Sequence, residues 1–145
     1  MELDFKRIER IAEIRREKES LTREGMALAA PILKDVGLVR ETYRIFTGIL
    51  DGRGPAPDSG SVLTRKKFIF IVLYLFSPDA LAGGKIKAGL REEMSRVLGI
   101  QSKTVISNNL DDIMFLYRNY KDFREDIGYL YTGILERLKA RGLVK

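Results

Sequence analysis

The sequence predicts an all-α protein. Two observations carry this. Apolar residues recur at three- and four-residue steps along most of the chain, with helix caps and helix stops between them. The one strand-like run, "FIFIVLYLF" at Phe68 to Phe76, has no second strand downstream to complete its backbone ladder. Its β-branched and aromatic content suits a buried strand as well as a helix, and helix is favoured because a lone strand leaves its backbone unpaired.

Taken in order, Phe5, Ile8, Ile11 and Ala12 share one helical face, which Leu21 extends past the charged "RREKES". Glu2–Lys6 and Glu19–Arg23 place acid before base at i,i+4, the favourable order on a helix. Gly25 is expected to end or loosen this helix. A second helix follows in "GLVRETYRIFTGIL", with Val39, Tyr43, Phe46 and Leu50 near one face. Asp51 to Ser61, "DGRGPAPDSGS", holds three glycines and two prolines and sustains neither helix nor sheet. It therefore divides the chain into a helical arm (1–50), a flexible linker (51–61) and a C-terminal helical domain (62–145). The arm has too little apolar surface for a core of its own, so it should pack on the rest of the chain or on a second copy.

Thr64 is the expected N-cap of the apolar helix. Ser77-Pro78-Asp79 opens a short turn with proline at its first position, and Gly83-Gly84 stops it. A helix is expected from about Lys87 to Leu98, carrying Leu90, Met94, Val97 and Leu98 on one side. Another runs from Lys103 to about Tyr120, with Ile106, Leu110, Ile113 and Tyr117 as a seam. The last spans about Asp122 to Arg141, marked by Ile127, Leu130, Ile134, Leu135 and Leu138, with Gly142 as its stop.

Composition narrows function. The 145 residues contain no cysteine and no histidine, which excludes zinc fingers, disulfides, thiol chemistry and histidine acid–base catalysis. No calcium-loop pattern, carboxylate dyad or nucleophile–base pair stands out, so no enzyme activity, metal or cofactor is expected. "AGGK" at Ala82 to Lys85 lacks the earlier glycine, the following Ser/Thr and the preceding strand of a phosphate-binding loop. The nine-residue apolar run is far short of the ~20 residues that cross a bilayer, and the charged N-terminus is unlike a signal peptide. An intracellular protein without a membrane or small-molecule partner is the expectation. The net charge of +6 tilts toward polyanionic partners. From Arg65 to Tyr120 nine Lys/Arg stand against five Asp/Glu, whereas residues 1–50 have ten against nine. The excess sits in the C-terminal half.

That half contains "REEMSRVLGIQSKTVISNNL". It resembles the helix-turn-helix of sigma-factor-like and phage regulators, over residues 91–116 or so. Ser95 takes the small position facing the second helix, Gly99 the turn, Ile100 the apolar position after it, and Thr104-Val105 the opening of the recognition helix. The physics is that a small residue lets two helices cross closely, and glycine accepts the left-handed backbone that reverses the chain. The family's apolar position four after Val105 is filled here by Asn109. A turn one residue longer, with Ile106 inward, is the alternative register. The resemblance implies a DNA-binding protein, a transcriptional regulator or DNA-handling protein of a phage or mobile element. Ser102, Lys103, Thr104, Ser107 and Asn108 would then contact bases, and Arg65, Lys66, Lys67, Lys87 and Arg91 would hold phosphate. Such heads commonly act in pairs, so a homo-oligomer through the arm or the last helix is expected.

A second reading stays open. Two amphipathic helices joined by "LGI" also occur in bundles that never meet DNA, and Asp111-Asp112 would repel phosphate. A structural or adaptor protein using its helices for protein contacts is the alternative. The aromatics of "MFLYRNYKDF", Met114 to Phe123, are read as helix-packing residues ahead of base-stacking ones.

Overall fold

The computed structural model describes residues 5–53 and 61–145. Among them there are seven α-helices and no strand. They are α1 (Lys6–Leu28), α2 (Val39–Gly52), α3 (Val62–Phe76), α4 (Leu90–Leu98), α5 (Thr104–Asn108), α6 (Leu110–Asn119) and α7 (Lys121–Ala140), with single 3-10 turns at Val36–Leu38 and Pro78–Ala82. The fold is all-α.

The chain forms two compact units, which divide between Ala30 and Pro31. This corrects the expected boundary at 51–61. The apolar face of α2 (Val39, Ile45, Phe46, Ile49, Leu50) belongs to the same core as α3 and α7. Most of the expected linker, residues 54–60, lies outside the described residues. Only α1 stands as a unit of its own. It continues through Gly25 to Leu28, and none of its residues is buried. A single glycine costs a helix about 1 kcal/mol against alanine, too little to end one that neighbours on both sides propagate.

In the larger unit, α3 is the axis. Phe68 to Leu73, Leu75 and Phe76 are all buried, and α2, α4, α6 and α7 pack around them. A helix apolar on every side has no exposed face to set a period, which is why the run reads equally as strand. Its cap is Ser61, the residue immediately before the helix and three positions ahead of Thr64, the expected cap. The Ser61 hydroxyl accepts from the Thr64 backbone N–H at 3.1 Å. At the other end, the Leu75 carbonyl accepts from the N–H groups of both Ile32 (2.8 Å) and Leu33 (2.9 Å). That satisfies an end-of-helix carbonyl that α3 leaves open and fixes where the larger unit starts.

Packing explains several small residues. A Cβ on Gly133 would lie 2.9 Å from Ile49 Cδ1, so glycine there permits the approach of α7 to α2. Tyr43 meets Phe68 edge-on at 4.9 Å, and Phe46 sits 5.2 Å from the same ring. Along α7 the buried residues are Phe123, Ile127, Leu130, Ile134 and Leu138. The helix ends in paired bonds, Leu143 N–H to the Leu138 carbonyl and Gly142 N–H to Lys139, with Gly142 at φ +73°.

Two helices differ from expectation in ways that matter for the tip. Gly89 is left-handed (φ +84°), so α4 starts at Leu90 and not at Lys87. The helix expected from Lys103 to Tyr120 is broken at Asn109 into α5 and α6. There the Asn109 amide bonds back to the Val105 carbonyl at 2.6 Å, while its backbone N–H is shared between Val105 and Ile106.

Candidate nucleic-acid interface

The turn between α4 and α5 is built by local chemistry. Gly99 at φ +70° reverses the chain, Ile100 N–H bonds the Ser95 carbonyl at 2.9 Å, and Gly99 N–H bonds Arg96. These are the paired bonds of a Schellman ending, with Ile100 packed against the core as its apolar partner. Ser95 is buried where α4 faces the core, and its hydroxyl has no hydrogen-bond partner among the described residues. Its small size, not its polarity, suits the position.

Two side-chain contacts shape the start of α5. The Ser102 hydroxyl accepts from Thr104 N–H at 3.3 Å and shares a 2.7 Å bond with the Thr104 hydroxyl. Lys103 Nζ donates to Glu92 Oε1 of α4 at 3.1 Å. The Glu92 carboxyl is held below its ordinary range, first by a bond from its own backbone N–H and then by Lys103. Of the two registers, the structure has Ile106 inward (0% exposed) and Val105 outward (36%). The turn is accordingly the longer one, and α5 presents Thr104 and Asn108 on the side opposite Ile106.

Of the five residues expected to contact bases, Ser102, Lys103, Thr104 and Asn108 are exposed together at this tip. Ser107 is half-buried and accepts from Arg91 Nη1 at 3.0 Å.

The five expected phosphate residues divide. Arg65 flanks α5 on one side, across a small cavity of about 40 Å³ that it lines with Lys66, Ile100, Val105 and Asn109. Arg91 flanks it on the other, through Ser107. Lys66 is paired with Asp112. Lys67 is drawn away from the tip, to Asp126 at 2.7 Å, where Arg53 joins it at 2.6 Å. Burial alone would raise the Asp126 pKa, but the bonds from Arg53 and Lys67 outweigh it and hold the carboxyl below its ordinary value. Lys87 donates through Nζ to the Lys34 carbonyl and through its backbone N–H to Ser77 Oγ at 3.1 Å. Lys67 and Lys87 are thus engaged by partners within the chain, away from the tip of α5. Their partners are 59 and 53 residues away in the chain, beyond the reach of any local pattern.

The aromatic run divides. Phe123 is buried, and Tyr117 stacks on Phe70 of α3 at 5.0 Å, both in the expected packing role, whereas Phe115 and Tyr120 are exposed. Phe115 and Tyr120 meet at 6.2 Å. At "AGGK", Gly83 is left-handed (φ +101°), and a Cβ on Gly84 would collide with the Asp79 carboxylate. Both glycines answer to the turn itself.

Among the described residues no cluster of acidic side chains could hold a metal ion, and no helix is long and apolar enough to cross a membrane. No protein-family model matches this chain, and neither a curated protein nor a solved structure is similar to it.

Proposed function

We propose that the protein binds double-stranded DNA without catalysing a reaction, as a regulator or DNA-handling protein of a phage or mobile element, with α4 and α5 as a helix-turn-helix. One observation carries the reading. The exposed ridge of α5, Thr104 and Asn108 with Ser102 and Lys103 at its start, lies between Arg65 on one flank and Arg91 on the other. A helix with its side chains is about 10–12 Å across and the major groove about 12 Å wide. A helix seated there has base edges ahead and phosphates on both sides. Asn108 pairs with adenine through two hydrogen bonds, and Lys103 reaches guanine by exchanging Glu92 for a base edge. Pairing of two such heads, through α1 with its exposed Ile8, Ile11, Leu21 and Leu28 or through α7, would add register and affinity.

A second reading draws on a different observation. Lys66, Lys67 and Lys103 are each neutralised by an acid of the same chain, and Phe115, Tyr120 and Tyr129 are exposed. That is the surface of an adaptor that binds protein. Selection from random duplex, followed by titration at two salt concentrations, separates the two. The DNA reading expects a preferred sequence, affinity that falls steeply with salt, and loss of preference in Lys103→Ala/Asn108→Ala with an unchanged melting temperature. Salt-independent or absent duplex binding by the full chain supports the adaptor.

A further inference from the structure

We infer that the recess beside α5 and α6 seats the sugar-phosphate backbone of one DNA strand, with Lys85, Arg91 and Arg118 as its phosphate contacts. This rests on the DNA reading and extends it, through Lys85 and Arg118, beyond the residues of the helix-turn-helix pattern.

Two adjoining recesses, of about 380 and 510 Å³, share Gly84, Ser107 and Leu110 and together run along this side of the bent helix pair. One wall is a helical face, with Ser107, Leu110, Asp111, Met114 and Arg118 three or four residues apart along most of its length. The other is the Gly83–Lys85 turn, whose two glycines put no side chain in the way. The glycines are demanded by backbone geometry and by Asp79, and the low wall is their consequence.

Three cations line this recess. Lys85 and Arg91 line one part and Arg118 the other. Among the described residues none of the three takes part in an ion pair, whereas Lys66, Lys67, Arg96 and Lys103 all do. Cations already compensated by the protein gain little from a phosphate. Lys85 and Arg118, which stand in no ion pair among the described residues, gain more from the release of condensed counterions than Arg91, which lies in the field of Glu92. Asp111 lines the recess and the Asp79 carboxylate stands against Gly84 of its low wall; both oppose a phosphate there. From Thr104 to Arg118 the contour of the two helices is roughly 20 Å at about 1.5 Å per residue, an upper bound on the straight span of the bent pair and enough to pass more than one phosphate of a strand.

The test uses the full chain and its selected duplex, with affinity measured from low to moderate salt. Arg118→Ala and Lys85→Ala should each make the log–log salt slope shallower by about 0.9, weakening specific and random duplex equally. Asp111→Asn should tighten both. Wild-type affinity and slope in Arg118→Ala and Lys85→Ala, while Lys103→Ala/Asn108→Ala still loses sequence preference, would overturn the backbone track and leave the DNA reading standing. Absence of duplex binding by the wild-type chain would overturn both.

Discussion

Helices α3 and α5 share one unit and could hardly be held in place more differently. In α3 nine of fifteen residues are buried, and in α5 one of five. The first is fixed by area removed from water, a term indifferent to sequence detail as long as volume is kept. The second is fixed by one anchor, Ile106, and by the turn before it: Gly99 left-handed, Ile100 bonded back to Ser95, Ser102 bonding Thr104. Polar residues at such a tip are free to vary without cost to the core.

Four experiments sharpen or break the contrast. Phe68→Ala, at the crossing of α2 and α3, should cost the most, about 3–5 kcal/mol in chemical denaturation; a loss under 1 kcal/mol would mean α3 is not the axis. Next, Ile106→Ala should cost about 2–5 kcal/mol, while Val105→Ala, one residue away and outward, stays below about 1 kcal/mol. The reverse order would restore the shorter register of the turn. Gly99→Ala should cost about 1–2 kcal/mol from left-handed backbone alone, because nothing lies within 4 Å of the added Cβ. A neutral outcome would show a relaxed turn.

The smallest effect concerns acid. The Asp126 carboxyl is depressed in the folded chain by Arg53 and Lys67. Its contribution is therefore fully present above the unfolded carboxylate value of about 3.9 and is lost as pH falls through the lower folded value. Asp126→Asn should flatten that part of the stability–pH curve, with only a modest change near neutrality because the site is partly solvated. A mutant curve parallel to wild type below pH 4 or so would mean the cluster contributes nothing.

What the sequence made legible follows the reach of each interaction. Class, the seam of α7, its stop at Gly142 and the proline-opened turn at Pro78 are all set by neighbours within a few residues, and all were readable. So was the polar tip of Ser102 to Asn108. The unit boundary was not, because glycine and proline at 51–61 look like a joint whatever α2 packs against. The fates of Arg65, Lys66 and Lys67 were not either. Three adjacent cations face three directions on a helix, and whether each meets an acid is decided by residues forty or more positions later. The break at Asn109 had a local cause, an amide able to bond back along its own helix, but the seam through Ile106, Leu110, Ile113 and Tyr117 runs on at helical spacing and hid it.

The doubly used carbonyl of Leu75 has a mechanical consequence. It clamps the chain just past Ala30 to the last turn of the most deeply buried helix. The first residues of the larger unit are therefore fastened to its hub and not to the helix that carries Thr104 and Asn108.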